Sequence, residues 1–488
     1  MMKKRLLLLL LPAASVWANQ PPPQGLPVPL FFEEPVLPIN LPPSLEGETE
    51  LKPINLIPRP KAEPYSINEQ DLQNHPALLE QLINQALVEK RWDFLADLLK
   101  VYHTTEQPDK ILLAYAEGAL LRSQGKYREA VAQYREILHQ QPDLHYVRLD
   151  LGLMLAENKQ FREATNELTQ LKNRTEEASL QQIATHYQTA IDKTQAWQPE
   201  VNLQYEQTDN VNNASAQRTI EWQGRQWIKN EESLPQSARG FRYGLGVSRD
   251  INLTGNHFAF FNTGINGVHY WDKQDYNEQT ARVAAGYKWR NAQQTWGMIP
   301  FFEQNWLGGE RYSHLMGVSG EYSRYLNPRW QLFLNTTVFQ RRYQDDSIAQ
   351  RYDGHTTTLG STLAYQATPS WLLFGGVDWN NENTHEREQA STRTGMRVGM
   401  AKTFDNGLGI RTNLRYAQRH FKAPSWLVYQ FTREDHEYQL NAALWHNKLS
   451  WRGFTPKINW RYEKIDSNMS GFYSRNNQQW FMSVEKTF

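Results

Sequence analysis

The chain has 488 residues, with 52 basic and 52 acidic side chains, a formal net charge of zero and no cysteine. This length accommodates two or more domains, and the balanced charge gives no support to nucleic acid as a partner. The absence of cysteine excludes a disulfide framework, a thiol nucleophile and a lipid-anchored N-terminal cysteine. No run of 18 apolar residues is present, so the sequence predicts no membrane-spanning helix.

The first 66 residues are predicted to contain a signal peptide and a linker. Residues 1–18 combine a basic start with a short leucine-rich core, a combination typical of a secretory signal peptide. Between residues 20 and 64 lie 13 of the chain's 24 prolines. Because proline interrupts helices and central strands, residues 19–66 are predicted to form an extended linker in the periplasm.

Residues 67–197 show a helical period and a repeat of 34 residues. The residue pairs separated by 34 positions are Gly118 and Gly152, Tyr127 and Phe161, and Ala130 and Ala164. Small residues allow two antiparallel helices to approach closely, and the aromatic residue fills the gap between repeats. This spacing predicts a tetratricopeptide-repeat domain in the periplasm, with two clear repeats and a degraded one upstream.

From residue 198 the pattern changes to strands that alternate apolar and polar side chains. In one example, Val283, Tyr287 and Trp289 share a face opposite Arg282 and Lys288. Such runs recur about 14 times up to residue 488, and 15 of the 17 tryptophans lie from Trp197 onward. The pattern predicts a closed antiparallel β-barrel, apolar outside and polar inside. A soluble sandwich or propeller is the alternative.

The fold class predicted from these segments is α+β multidomain: an N-terminal α-helical tetratricopeptide-repeat domain followed by a transmembrane antiparallel β-barrel of about 14 strands. A mean hydropathy of −0.70 agrees with this, because half of every barrel strand faces water. The final strand carries Trp480 and Met482 on one face, and the chain stops at Phe488. That aromatic end resembles the assembly signal of bacterial outer-membrane barrels. The predicted location is the Gram-negative outer membrane.

The sequence predicts no enzyme: no catalytic, cofactor-binding or metal-binding residue is assigned. We find no P-loop, Rossmann glycine pattern, HExxH or GxSxG motif. The run from Asp209 to Asn213 has the oxygen ligands of a calcium loop but lacks its central glycine and closing glutamate. Asparagine and aspartate favour turns, so a turn is predicted there.

Two sets of residues are candidates for contact with a transported partner. On the repeats, helix stacking predicts a concave face for partner binding that carries Tyr115, Arg122, Tyr146, Asp150 and Glu157. In the barrel, the alternation predicts side chains that line the lumen at Arg282, Lys288, Arg411, Arg415, Arg461 and Glu463. The alternatives are a solvated repeat face without a ligand and a lumen wall whose charges neutralise one another.

A signal peptide, a small repeat domain and a C-terminal barrel together resemble the surface lipoprotein assembly modulator family, Slam. The resemblance is carried by the repeats between Ala114 and Leu168, the run from Gln204 to Asn213 and the strand ending at Phe488. It implies an outer-membrane translocator of surface lipoproteins or secreted haem- or metal-acquisition proteins. The implied partners are this protein cargo, a periplasmic chaperone, the barrel assembly machinery and outer-membrane lipid.

Other functions remain open from the residues alone. An exopolysaccharide export porin also places tetratricopeptide repeats before a barrel, although such porins generally carry longer arrays and acidic or aromatic pores. A passive porin is a further alternative.

Because a barrel of about 14 strands is narrow for folded protein, transport of a protein requires unfolded cargo or opening of a strand seam, with Val201 and Val484 near that seam.

Overall fold

The computed structural model describes residues 72–73, 75–222, 225–424, 431–451 and 454–486. The predicted signal peptide, the predicted proline-rich linker and Phe488 lie outside the described residues.

The described residues before 197 form seven helices that stack as antiparallel pairs. They are α1 Pro76–Val88, α2 Trp92–Tyr102, α3 Lys110–Ser123, α4 Tyr127–Gln140, α5 His145–Glu157, α6 Phe161–Arg174 and α7 Ala178–Gln195. The two clear repeats correspond to α3 with α4 and α5 with α6, so the predicted helical repeat domain is confirmed. None of the helices in the described residues is long and apolar enough to cross a membrane.

The repeat residues mark where helices begin and where they approach closely. The carboxylate of Asp109 caps α3 by accepting from the backbone N–H groups of Ile111 and Leu112. Ala130 and Ala164 are fully buried in the helical core. A side-chain carbon at Gly118 would overlap the Tyr134 ring. The 34-residue spacing therefore reflects packing between the two helices of each repeat.

Replacing Gly118 with alanine is expected to destabilise the repeat domain by about 1–3 kcal/mol, because the added methyl group forces the buried Tyr134 ring to move. The measurement is thermal unfolding of the full chain followed by helical circular dichroism. Lys110→Ala, at an exposed position of the same helix, is the control. Identical melting of both variants would mean that the close approach of α3 and α4 has no energetic role.

Residues 198–486 form a closed antiparallel barrel of fourteen strands, which confirms the predicted strand number. The strands are β1 Gln198–Thr208, β4 Ala238–Thr254, β5 His257–Tyr270, β6 Glu278–Arg290, β7 Gln294–Leu307, β8 Glu310–Asn327, β9 Trp330–Tyr343, β10 Gly354–Thr368, β11 Trp371–Thr384, β12 Ser391–Thr403, β13 Leu408–Phe421, β14 Glu434–His446, β15 Phe454–Ser467 and β16 Arg475–Lys486. Each barrel strand pairs with the next barrel strand along the chain, so that β1 pairs with β4, and β1 also pairs with β16. Strands β2 (Thr219–Trp222) and β3 (Arg225–Ile228) form a separate hairpin.

The outer surface of the barrel carries the apolar side chains that alternation predicts. Val283, Leu334 and Leu414 are between 41% and 51% exposed. Lys288, on the opposite face of β6 from Val283, is only 6% exposed. The barrel therefore presents an apolar exterior and a polar interior, as expected for strands that cross a bilayer.

The two ends of the barrel differ in the length of their connections. At one end, which we call the repeat-side end, β4–β5 and β6–β7 are joined by the short turns 255–256 and 291–293. At the other end, the far end, residues 209–237 carry the β2–β3 hairpin. Two short helices also lie there, α8 Asp346–Tyr352 and α9 Ser470–Tyr473. Short periplasmic turns and longer extracellular loops are typical of outer-membrane barrels.

Candidate functional site

Four of the five candidate repeat residues form one polar network between α3 and α5. The Tyr115 hydroxyl donates to Asp150 Oδ2 at 2.5 Å, and Arg122 Nε donates to Glu157 Oε2 at 2.9 Å. Arg122 Nη1 lies 3.9 Å from Asp150 Oδ1, so the guanidinium links both carboxylates. The Tyr115–Asp150 and Arg122–Glu157 hydrogen bonds each join residues 35 positions apart, which places them between the first helices of successive repeats.

The fifth candidate, Tyr146, lies on α5 with Asp150 and Glu157 but contacts the start of α7. Its side chain is 62% exposed, and its hydroxyl donates to the Glu177 carboxylate at 3.1 Å, at the start of α7. Helices α3, α5 and α7 are thus bridged in turn by polar contacts. We call the surface formed by Tyr115, Arg122, Tyr146, Asp150 and Glu157 the repeat face.

Partial burial sets the electrostatics of the repeat face. Burial raises the pKa of the Asp150 carboxyl, while the Tyr115 hydroxyl and the Arg122 guanidinium oppose that rise. Burial also raises the pKa of the Tyr115 hydroxyl, and the nearby Asp150 charge raises it further. Burial alone would lower the pKa of Arg122, but its bonds to Glu157 outweigh burial and raise it. The guanidinium is therefore held charged between two acids.

Aromatic residues outside the predicted set lie beneath this face. The Tyr134 ring, 1% exposed, packs 5.1 Å from the Tyr115 ring between centroids. Burial raises the pKa of Tyr127 and of Tyr187, and the Glu157 charge contributes to both shifts. Tyr127 could have been assigned here from its place in the 34-residue repeat. For Tyr187, which follows the clear repeats, the sequence offers no such signal.

In the barrel, several predicted lumen residues have polar partners on neighbouring strands. Arg282 Nη1 lies 3.6 Å from Glu303 Oε2, and Lys288 Nζ lies 3.0 Å from Glu321 Oε1. Further along the wall, Arg461 Nε donates to Asn441 Oδ1 at 3.1 Å.

Glu463 accepts from Gln439 Nε2 at 3.3 Å. The ion pairs of Arg282 and Lys288 support a wall whose charges neutralise one another, whereas these bonds of Arg461 and Glu463 are to neutral amides.

The other predicted lumen residues, Arg411 and Arg415, lie on β13 beside an arginine-rich part of β12. Arg415 is the cross-strand partner of Arg397, and Arg411 is the partner of Ala401. Three ion pairs nearby involve residues that were not among the predicted lumen residues. They are Arg397 with Asp378, Arg393 with Glu437 at 3.2 Å, and Arg419 with Glu382 at 2.8 Å. Their odd-numbered positions on β12 and β13 could have placed these arginines on the inner face.

The Asp209–Asn213 run forms a turn stabilised by its own side chains. Asn210 Oδ1 accepts from the Ala214 backbone N–H at 2.9 Å, and Asn212 Nδ2 donates to the Leu234 carbonyl at 2.8 Å. Both asparagines are buried. Within the described ranges, no group of three or more His, Cys, Asp or Glu residues lies close enough to hold a metal ion.

The repeat domain is bonded directly to the repeat-side end of the barrel. Asn252 Oδ1 accepts from the Arg162 backbone N–H at 2.9 Å, and Glu163 Oε1 accepts from the Gly255 backbone N–H at 2.7 Å. Gln195, at the end of α7, accepts with its side chain from the Asn252 backbone N–H at 3.0 Å. These contacts tie the start of α6 and the end of α7 to the β4–β5 turn.

An apolar contact reinforces this junction. Phe258 of β5 is fully buried within the hydrophobic core of the repeats, with its ring 5.8 Å from the Phe161 ring in an edge-to-face arrangement. Edge-to-face pairs of this kind add stability beyond the apolar area that they bury. The repeats are therefore held beside β1, which follows α7 after only two residues.

The junction between β1 and β16, which we call the seam, is paired over only part of the length that the structure describes. Five residue pairs join the two strands, from Gln204 with Ser483 to Thr208 with Gln479. Eleven pairs join β1 to β4. Within the described residues, 198–203 of β1 thus have a strand partner on one side only. The unpaired part lies at the repeat-side end.

The far end of the seam is held by side chains as well as by backbone pairing. Thr208 Oγ1 donates to Asn477 Oδ1 at 3.0 Å, and Ser215 Oγ donates to the Ser470 carbonyl at 3.2 Å. Within the described part of the two strands, the seam is therefore closed at the far end and parted near the repeats.

A closed barrel with an apolar exterior and helical repeats bonded to one end defines the class: an outer-membrane β-barrel protein with a tetratricopeptide-repeat domain. The sequence profile described as "Surface lipoprotein assembly modifier" matches residues 197–488. The profile described as "Surface lipoprotein assembly modifier, N-terminal TPR repeats" matches residues 65–168. The chain belongs to the surface lipoprotein assembly modifier family, which confirms the predicted resemblance. Its barrel lies in the outer membrane, and its repeats lie on the periplasmic side.

Relatives match over nearly the whole chain. A surface lipoprotein assembly modifier of Pasteurella multocida is 29% identical over 446 residues, covering 87% of this chain and 85% of the relative. Surface lipoprotein assembly modifier 1 of Haemophilus influenzae is 28% identical, covering 87% of each chain. The hemophilin secretion modulator of Acinetobacter baumannii is 24% identical, covering 86% of this chain and 88% of the relative.

Solved structures are more distant. A FadL homologue of Pseudomonas aeruginosa aligns over 59% of this chain and 89% of its own with a TM-score of 0.36 and 8% identity. Similarity at that level supports no argument about function.

Proposed function

We propose that this protein delivers protein cargo across the outer membrane, and that the cargo is a surface lipoprotein or a secreted haem- or metal-binding protein. The names of the relatives motivate the cargo class: surface lipoprotein assembly in Pasteurella multocida and hemophilin secretion in Acinetobacter baumannii. The family and the membrane barrel support the location at which this would occur.

The observation that carries the proposed mechanism is the parted seam beside the repeats. Within the residues that the structure describes, positions 198–203 of β1 pair with β4 and have no pairing with β16, at the end where the repeat domain is anchored. Unpaired backbone groups of this kind are costly in a bilayer and readily accept an added strand. An extended segment of unfolded cargo would satisfy them by strand addition.

The repeats would present the cargo, or a periplasmic chaperone carrying it, to this edge. The repeat face exposes Tyr146 and keeps Arg122 charged between two carboxylates, so it combines an aromatic ring with fixed polar groups. Such surfaces on helical repeats suit extended protein partners. In this proposal the barrel assembly machinery inserts the barrel, and outer-membrane lipid surrounds it.

The test is deletion of the gene, followed by surface labelling of candidate lipoproteins and assay of secreted haem-binding proteins. Loss of surface display or secretion at normal total abundance is the expected result, because the cargo would still be synthesised but would not cross the outer membrane. Normal display and secretion of every candidate would contradict the proposal.

A second strain carrying the chain without residues 67–197 separates the two parts. Loss of cargo delivery with normal amounts of the barrel in the outer membrane would assign cargo engagement to the repeats. Unchanged delivery would remove that role from them and leave the barrel as the sole translocating part.

A further inference from the structure

A cleft of about 590 Å³ lies between the repeat domain and the repeat-side end of the barrel. Its helical wall is the start of α4, and its barrel wall is the β6–β7 turn with the end of β6. The side chains that matter for its chemistry are Lys126, Arg128, Arg135, Gln160, Trp289 and Gln293. Clefts of about 300–1,000 Å³ are the usual size for small-molecule sites.

The cleft is electropositive. Lys126, Arg128 and Arg135 line it together with a single carboxylate, Glu129. All three cations are solvent-exposed, and none forms an ion pair within the part of the chain that the structure describes. Beside the cleft, burial and then the Arg290 charge lower the pKa of Lys159. An anion would therefore find uncompensated positive charge here.

The barrel wall places the cleft at the level of the membrane surface. Trp289 is paired across the strands with Trp296, and their rings stack with centroids 6.4 Å apart. Trp296 is 43% exposed, and Met298, on the same outer face of β7, is 58% exposed. Tryptophan rings of this kind lie at the headgroup level of a bilayer, and the apolar residue beyond them faces the hydrocarbon.

The cleft also holds an acceptor without a donor. Gln160 Nε2 donates to Asn256 Oδ1 at 3.4 Å, whereas Gln160 Oε1 is buried without a hydrogen-bond partner in the structure. A buried carbonyl oxygen left without a donor is costly, so a hydroxyl-bearing ligand would be stabilised at this position.

We propose that this cleft binds the headgroup of an anionic phospholipid of the periplasmic leaflet, phosphatidylglycerol. Its phosphate is placed against Arg128 and Arg135, since guanidinium groups match phosphate oxygens in geometry and charge. Its glycerol hydroxyls are placed near Gln160 Oε1, and its acyl chains extend from Trp289 into the bilayer. The bound lipid joins the repeat domain to the membrane, and this assignment does not depend on the nature of the cargo.

The test uses the full chain purified in detergent and titrated with phosphatidylglycerol or phosphatidylcholine, with bound lipid counted by native mass spectrometry. The double variant Arg128→Gln/Arg135→Gln is expected to bind phosphatidylglycerol roughly 25-fold more weakly, about fivefold for each cation removed. Lys110→Gln/Lys193→Gln removes the same charge from exposed sites of the repeat domain outside the cleft and is expected to bind like the parent chain.

Hydrogen exchange of α4 distinguishes lipid from free anion. Phosphatidylglycerol is expected to protect the start of α4, and inorganic phosphate alone is not expected to do so. Equal binding of the two lipids by the parent chain would overturn the proposal, as would unchanged binding by the Arg128→Gln/Arg135→Gln variant. Full competition by inorganic phosphate would also overturn it, by identifying a free-anion site. The comparison of the two lipids uses the parent chain alone, so it remains decisive even if the substituted protein misfolds.

Discussion

A disulfide that locks the seam is expected to abolish cargo delivery. Tyr205→Cys with Met482→Cys places the two thiols on cross-strand partners of β1 and β16. Directly opposed residues of antiparallel strands have Cα atoms about 4.5–5.5 Å apart, which lies within the range that a disulfide spans. If cargo enters through the parted edge and spreads the seam, oxidation should reduce surface display to the level of the gene deletion, and reduction should restore it.

The cysteine-free chain makes this experiment specific, since the introduced pair forms the sole intramolecular disulfide. A matched control is Val398→Cys with Leu414→Cys, which are cross-strand partners on β12 and β13. Both pairs point outward, with exposures of 48% and 59% at the seam and 59% and 51% at the control site. The control crosslink therefore tests oxidation and added thiols without restraining the seam.

Full delivery by the protein with an oxidised seam would indicate that cargo passes through the lumen instead. Cargo would then have to pass along a wall where Arg393 pairs with Glu437 and Arg419 pairs with Glu382. Such passage would break or exchange ion pairs that neutralise one another, so substitutions at these positions would alter delivery. The two routes make opposite predictions for the same oxidised protein.

The repeat domain could be predicted because its packing imposes a spacing on the sequence. Gly118 and Gly152 are needed where helices approach, and the fully buried Ala130 and Ala164 recur at the same interval. The barrel could be predicted because every strand must alternate between lipid and lumen. Both signals are local or periodic, so a single sequence is sufficient to recognise them.

The parted seam could not be predicted, because alternation specifies which face a residue occupies and not how many residues two strands pair. The five pairs between β1 and β16 join the first and last strands of the barrel, and no local pattern in the sequence specifies their number. The junction between the repeat domain and the barrel could not be predicted either. Glu163 and Gly255 are 92 positions apart, and residues of these types are common on any surface. The repeat face was an intermediate case: its residues were predicted, but not the bonds that link Tyr115 to Asp150.

Replacing Arg122 with methionine is expected to destabilise the packing of α3 on α5 by about 2 kcal/mol at neutral pH. The substitution keeps much of the side chain's apolar length but leaves Asp150 and Glu157 without their shared cation. Removing one partner of a fully buried ion pair costs roughly 3–5 kcal/mol. Exposures of 26% for Arg122 and 30% for Glu157 reduce that cost. Hydrogen exchange of α3 and α5 in the full chain measures the local opening free energy.

The destabilisation should depend on pH in a defined direction. Burial already raises the pKa of Asp150 in the folded protein, and removing Arg122 takes away a charge that opposes the rise. The folded variant then binds a proton more readily than the unfolded chain, so its stability falls as pH rises from the ordinary aspartate range to the raised folded pKa. The deficit should be largest at neutral pH and smaller in mild acid. The parent chain should show a weaker dependence over the same interval.

The control variant is Arg135→Met, which removes the same charge from an exposed position of α4. Its opening free energies for α3 and α5 should match the parent chain at both pH values. If Arg122→Met also matched the parent, the Arg122–Glu157 bond would contribute nothing to helix packing. The conserved stability would then indicate that Arg122 is held there for contact with a partner. Cargo delivery measured in the Arg122→Met variant would decide between the two roles. Loss of delivery with unchanged packing would assign Arg122 to partner contact, whereas a purely structural arginine predicts loss of packing and delivery together.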